Sequence, residues 1–437
     1  MKYRKYVVDS LYRVLTEKKY SNIESVASMG KIQDKKEKDL YLYTFNGVLE
    51  NLIFSDWVIS EYSSVKIKKI NKNVLNIMRA AVFQIFFSER ISYTRIVNDS
   101  VELTKKYLFK STRFVNGVLR NIVRNKDNIL TKIDEIGGIE GLSIKYSYPV
   151  EFLKLLVEEF GMEETEKFCI ASNSKPDTIF RINTSIVSRD GFLEKYGDKY
   201  EVKKTDKSKY GIIIKNIHRL QEMDEFKNGL ITPQDESSIL VSEILDPDMD
   251  SDIIDMCCAP GGKCLHSAEL MKNTGLVLCC DIYENKLKLV ENTAERLGLN
   301  NIETRVQDGL EIIPEFLEKF DYCIVDVPCS NTGIIRRKPE IKYNLKVDAL
   351  DELEKIQYGI LENASKYLKK GGRLVYSTCS VLDNENINLV RRFLKNNQDL
   401  EFTGFEVGGK PVSEGYLQIY PQRDNMDGFF IASLVKN

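Results

Sequence analysis

The sequence predicts a multidomain chain: an all-α amino-terminal bundle, a small α+β linker subdomain, and a carboxy-terminal α/β domain whose parallel or mixed sheet is covered by helices. Three observations predict it. Apolar residues recur at three-to-four spacing through residues 1 to about 125, short strands between polar turns occupy residues 176–235, and from Ile253 onward strand, glycine turn and helix alternate. With 437 residues, 43% hydrophobic and 29% charged, the chain can bury substantial cores and is neither disordered nor collagen-like.

The helical period is carried by YVVDSLYRVL, LYTFNGVLENLIFSDWVI, VLNIMRAAVFQIFF and FVNGVLRNIV. Between the first two, the polar KYSNIESVASMGKIQDKKEKD suits an exposed connection. A turn-like YSYP closes this part, so the domains are expected at residues 1–145, 146–235 and 236–437. In the middle part the helical EFLKLLVEEFG precedes strand-like FRINT and YGIIIKNI, with SRDGFLEKYG as a small helix between them. Asp235 or Ser237 stands near the next helix start. The last part has strands SDIIDMCC, GLVLCCD, IETRVQD, FDYCIVD and GRLVYSTC, and helical patterns at 264–272, 284–297, 345–369 and 384–396. EFTGFEV, YLQIYP and GFFIASLV are expected as antiparallel edge strands.

The formal net charge of -2 argues against a nucleic-acid partner, but its distribution argues for one. Residues 1–150 hold 26 Lys or Arg against 16 Asp or Glu, an excess of ten positive charges, and the remainder is acidic. A basic module is joined to an acidic one. Without a long apolar run or a secretory signal, a cytoplasmic location and no membrane are expected. The nine cysteines are odd in number, eight of them follow Cys169, and most sit in apolar strand-like runs, as in a reduced compartment. No CxxC pair is present, only His218 and His266 add imidazoles, and no metal site is expected.

Asp255 to Lys263, DMCCAPGGK, lies where a strand should end and a helix begin, and Gly261 and Gly262 let backbone approach a ligand there. The loop matches neither the dinucleotide fingerprint nor the phosphate loop, which weakens NAD and ATP. Asp255, Asp281, Asp308 and Asp326 close successive strands and are expected to face one ligand crevice. Asp281 is placed to bind a ribose diol and Asp308 to meet an adenine amino group. S-adenosyl-L-methionine is the cofactor inferred, with Lys263 positioning its polar groups. Cys329 in DVPCS and Cys379 in YSTCS also follow strands and so belong at that crevice. Two thiols and an acid suit methylation of a pyrimidine: a soft nucleophile adds at C6, C5 becomes nucleophilic, and a base removes the C5 proton before elimination. Spacing alone does not say which thiol does which.

DMCCAPGGK, the strand-end acids, DVPCSNTGIIRRKPEIK, YSTCS and DGFF resemble the bacterial 16S ribosomal RNA cytosine-5 methyltransferases of the Sun/Fmu type. NGLITPQDESS, FRINT and FVNGVLRN extend the resemblance, and the first 125 or so residues resemble that family's NusB-like RNA-binding domain. The resemblance implies a Rossmann-like, S-adenosylmethionine-dependent catalytic domain. It also implies that Cys379 adds to cytosine C6, Cys329 assists C5 deprotonation and release, and Asp326 contacts N3. The cofactor would be held by Cys258, Ala259, Pro260, Gly261, Gly262, Lys263, Asp281, Asp308 and Asp326. Arg336 and Pro339 fall in the family's substrate-side loop, and Arg181 and Arg337 are expected as further RNA guides. The implied substrate is deproteinised or early-assembly 16S ribosomal RNA, with no obligate protein partner. Asn331 stands where the family usually has glycine, and Pro233 where a strand-compatible residue such as valine is usual.

A base inside structured RNA must leave its stack before C5 and C6 can be reached, so unpaired RNA is favoured. Transfer RNA or another RNA as substrate, and a noncatalytic RNA-binding assembly factor, remain as alternatives. A DNA cytosine methyltransferase is disfavoured by the contexts of both thiols.

Overall fold

The computed structural model describes residues 2–88, 91–217 and 220–437. They form two compact units, one of residues up to 173 together with 335–345, the other of residues 174–334 with 346–437. Among the described residues no helix is long and apolar enough to cross a membrane.

The first unit is helical. The helix Thr112–Arg124 shows why: Val115, Val118, Leu119 and Ile122 lie on one face and are buried, while its basic residues point away. Asp34 and Asn71 cap the helices Lys35–Glu50 and Lys72–Phe87 by accepting backbone N–H bonds. The expected exposed connection after the first helix instead contains the helix Ser21–Met29. Its polarity is satisfied internally, because buried Glu24 accepts from Ser10 Oγ and Ser28 Oγ at 3.0 Å and from Arg13 Nη1 at 2.5 Å.

The units divide at 173/174 rather than at 145/146. The helices Val150–Phe160 and Met162–Ser172 bury Phe152, Leu153, Leu156 and Phe168, and the Tyr148 ring packs on Phe152 and Phe168 at 5.8 and 6.3 Å. Residues 335–345 join them. Buried Lys342 donates to the carbonyls of Glu50 at 2.8 Å and Tyr146 at 3.4 Å and to Asn173 Oδ1 at 3.1 Å, and Tyr343 Oη donates to the Leu49 carbonyl at 2.8 Å.

The second unit begins with a small antiparallel sheet of β1 (Ile179–Ile182), β2 (Val202–Lys204), β3 (Gly211–Ile214) and β4 (Ile231–Pro233), in the order β2-β3-β1-β4. Pro233 lies on the edge strand β4, where a missing N–H costs no ladder bond. Asp235 then caps the helix Glu236–Leu245 through Ser237 N. The main sheet follows with β5 (Asp252–Asp255), β6 (Leu276–Asp281), β7 (Ile302–Val306), β8 (Phe320–Asp326), β9 (Leu368–Thr378) and β10 (Leu400–Phe402). β11 (Phe405–Val407) and β12 (Lys410–Val412) form a separate ribbon, and β13 (Tyr416–Ile419) and β14 (Phe429–Lys436) complete the main sheet. Its order is β10-β14-β9-β8-β5-β6-β7, with β13 also on β14. β5 to β9 are parallel, whereas β10, β13 and β14 add antiparallel, as expected, although GFFIASLV lies between β10 and β9 rather than at the edge and FEV of EFTGFEV forms the separate ribbon. Strand order reverses between β5 and β8, which opens a crevice at their carboxyl ends.

Candidate active site

β8 ends at Asp326 and leads into Cys329, while β9 ends at Thr378 and leads into Cys379. Their strands are adjacent and parallel, so both thiols leave the sheet at the same edge. The two sulfurs are 3.2 Å apart. Cys329 and Cys379 are partly exposed, whereas Cys264, Cys279, Cys280 and Cys323 are buried in the cores on either side of the sheet. The contact with Cys379, followed by burial, holds the Cys329 thiol well above its ordinary range.

A carboxylate sits beside them. Asp326 Oδ2 receives Lys263 Nζ at 2.6 Å, and its Oδ1 receives Ser377 Oγ at 2.7 Å. Burial draws the Lys263 ammonium down, but attraction to Asp326 and the hydrogen bond donated to it outweigh that and leave it above its usual value. Lys263 also lies 5.4 Å from the centre of the Phe429 ring. Lysine and acid, expected as separate cofactor contacts, form one ion pair.

The loops bearing the thiols are fastened by a residue that the sequence did not single out. Glu385 is buried and accepts from Ser330 N at 2.8 Å, from Gln357 Nε2 at 2.8 Å and from the hydroxyls of Ser330 and Ser380. One carboxylate thus ties the neighbours of both cysteines. Gly333 seats the first loop, donating to the Cys379 carbonyl and accepting from Gly428 N, each at 2.9 Å. A Cβ there would lie 1.9 Å from the Gly428 carbonyl oxygen, so only glycine fits.

The glycine loop runs from β5 to the helix Gly262–Leu270. Gly261 adopts φ 103°, and its N–H donates to the Cys258 carbonyl at 2.7 Å. Asp281 is 7% exposed and accepts from Tyr283 N at 2.9 Å, while Asp308 is exposed and accepts from Leu310 N at 2.9 Å. The apolar neighbours Ile282 and Leu310 are 50% and 46% exposed. Two acceptor acids with uncovered aliphatic side chains beside them, next to a tight glycine turn, suit an adenosine-bearing cofactor.

Asp255 departs from the expected series. It is fully buried, Oδ1 accepts from Cys257 N at 3.2 Å, Oδ2 has no partner, and burial pushes its carboxyl well above the usual carboxylate range. It holds the strand end and does not face open solvent. Arg181 also departs. Expected as an RNA guide, it is 1% exposed and bonded through Nε and Nη2 to Glu269 at 2.9 and 2.8 Å, and through Nη1 to the Gly262 carbonyl at 2.7 Å and to Gln234. Its guanidinium is occupied in fastening β1 to the glycine loop. Arg336, Arg337 and Pro339 lie in the 335–345 segment of the helical unit, with Arg337 exposed, Arg336 half-buried and Pro339 buried. His266 is buried with its ring 5.1 Å from that of Tyr210, and His218 lies outside the described residues.

Residues 242–435 match the model of the 16S rRNA methyltransferase RsmB/F family, and residues 1–124 match that of the NusB family. The probable ribosomal RNA small subunit methyltransferase B of Bacillus subtilis (strain 168) is 33% identical over 99% of this chain and 98% of its own. Ribosomal RNA small subunit methyltransferase B of Escherichia coli O6:H1 is 30% identical over 93% and 92%. The crystal structure of PH0851 superposes with a TM-score of 0.84 at 25% identity, covering 100% of this chain and 98% of that one. A methyltransferase homologue from Pyrococcus horikoshii gives 0.60 at 28% identity over 68% and 98%.

Proposed function

The chain belongs to the RsmB/F family of 16S rRNA methyltransferases, and we propose that it methylates C5 of a cytosine in small-subunit ribosomal RNA, using S-adenosylmethionine. The observation that carries this reading is the pair of sulfurs 3.2 Å apart beside the Asp326–Lys263 pair. When bound, S-adenosylmethionine supplies an electrophilic methyl group to carbon C5. Cys258, Ala259, Pro260, Gly261 and Gly262 would cradle it, with Asp281 at its ribose, Asp308 at its adenine, and Lys263 and Asp326 at the border with the base.

Cys379, its proton released to solvent, adds as thiolate to C6 of the cytosine, and the electron pair of the C5=C6 bond becomes available at C5. Asp326 meets N3 of the base, and the Lys263 ammonium paired with it offsets the negative charge that addition develops. After C5 is methylated, Cys329, its own proton first released to solvent, takes the C5 proton, the C5=C6 bond re-forms, and the Cys379 sulfur leaves with its electrons. This division of labour leaves both sulfurs beside one ring, which their separation supports.

The helical unit, with its excess of positive charge, attracts the phosphate backbone without reading sequence, while Arg336, Arg337 and Pro339 form the substrate-side loop. The RNA acted on is taken to be deproteinised or in early assembly, before assembly buries the site, and unpaired RNA lowers the cost of flipping the cytosine out of its stack. Incubation with methyl-labelled S-adenosylmethionine and protein-free small-subunit RNA, followed by mapping of 5-methylcytosine, tests the function. One labelled cytosine in that RNA is the expected result. Label in transfer RNA alone overturns the substrate, and no label in any RNA overturns the activity.

A further inference from the structure

We infer that Asn331 is a positioning residue that aims the Cys379 sulfur through a thiol-to-amide hydrogen bond; the inference rests on the proposed roles of the two cysteines. Asn331 takes the left-handed conformation at φ 59°, which asparagine and glycine tolerate better than other residues, and so its amide turns back over its own loop. Nδ2 donates to the Cys329 carbonyl at 2.7 Å. That bond settles which end of the amide faces the second thiol, since a flipped amide would set two acceptor oxygens against each other. Oδ1 therefore faces Cys379, and Sγ lies 3.1 Å from it.

An amide oxygen accepts only, so Cys379 must be the donor of this contact. Cys379 has one proton and a second neighbour, the Cys329 sulfur at 3.2 Å. With its proton committed to Asn331, the sulfur pair is completed by Cys329 donating to Cys379. The result is a directed chain from Cys329 through Cys379 to Asn331, in which each proton has one acceptor. It fixes the direction of the Cys379 lone pairs, and the S–H···O bond must be given up before that sulfur attacks carbon. The same amide thus restrains the resting thiol from ionising and sets the rotamer from which its sulfur approaches a base.

Reactivity and catalysis then move in opposite directions when the amide is removed, a signature that general loosening does not produce. Asn331→Gly keeps the left-handed backbone and deletes the amide. The full-length variant, treated with iodoacetamide in the absence of RNA and mapped by peptide mass spectrometry, is expected to alkylate Cys379 about threefold or more faster than wild type. Its kcat for methyl transfer falls about tenfold, while KM for S-adenosylmethionine and for RNA stays within about twofold. Buried Cys323 reports folding, and its alkylation stays at the wild-type rate. Asn331→Asp sets a charged acceptor against the sulfur and is expected to alkylate more slowly than wild type. Equal or slower alkylation in Asn331→Gly with Cys323 unchanged, or equal or faster alkylation in Asn331→Asp, overturns the inference. If Cys323 also accelerates in the glycine variant, the aspartate variant decides. Wild type that methylates no RNA would sink the proposed function instead, and the alkylation order would still judge Asn331.

Discussion

Replacing Arg181 by methionine removes the cation that fastens the glycine loop to the small sheet, and the loss is set by what stays behind. Both side chains of the Arg181–Glu269 pair are 1% exposed, and the fork is bidentate at 2.9 and 2.8 Å. Removing one partner of such a buried pair leaves an uncompensated charge and costs about 3–5 kcal/mol. Glu269 relieves part of that cost by taking a proton. Burial already raises its carboxyl above the ordinary value while Arg181 opposes the rise, so the rise is larger without Arg181. A carboxyl raised on folding contributes fully below its unfolded pKa of about 4.3 and loses that contribution as pH climbs through the folded value. Destabilisation by Arg181→Met is therefore smaller at about pH 5 than at about pH 8. Urea titrations followed by circular dichroism at both pH values measure it, and Arg181→Met with Glu269→Leu recovers most of the loss. A loss below about 1 kcal/mol at the higher pH, or one that does not shrink at the lower, would refute the reasoning.

Gly333→Ala drives a Cβ to 1.9 Å from the Gly428 carbonyl oxygen and parts the loop that carries Cys329; methyl transfer falls about tenfold or more in a labelled-methyl assay, and unchanged transfer would contradict the packing. Glu385→Gln replaces one acceptor oxygen by a donor facing hydroxyls and N–H groups, so kcat falls by about tenfold or more with the binding of S-adenosylmethionine kept, as stopped-time assays and calorimetry would show. Burial draws the Lys342 ammonium down to about 7, so from there to its unfolded value the unfolded chain binds more protons and stability rises with pH. The helical unit, which holds the single tryptophan, Trp57, should therefore gain about 1 kcal/mol per pH unit between about pH 7 and 9 in fluorescence-detected urea titrations, a slope that Lys342→Met removes.

Strands β5, β6 and β8 were legible because each is a short, largely apolar run that ends on an aspartate, and the parallel grammar follows from the helices between them. Cys329 and Cys379 were legible as strand-end residues for the same reason, although they are far apart in the chain. Arg181 was not. Its partners Gln234, Gly262 and Glu269 lie 53, 81 and 88 positions away, and an arginine in FRINT carries no local sign that a carboxylate awaits it. Glu385 was hidden likewise, inside a segment read only as helical, since its donors Ser330 and Gln357 lie 55 and 28 positions away. Asp255 followed the rule for strand-end acids, but β5 is central in the sheet and its end is covered. The helix Ser21–Met29 was masked by polar residues whose hydrogen bonds are made inside the bundle.

The order of the two thiols is tested most directly by trapping the RNA on the protein. Cys329→Ala, incubated with S-adenosylmethionine and protein-free small-subunit RNA and run on a denaturing gel, should accumulate a covalent RNA complex, and adding Cys379→Ala should abolish it. A complex that persists in the double variant, or methylation that survives Cys379→Ala at the wild-type rate, would contradict the account.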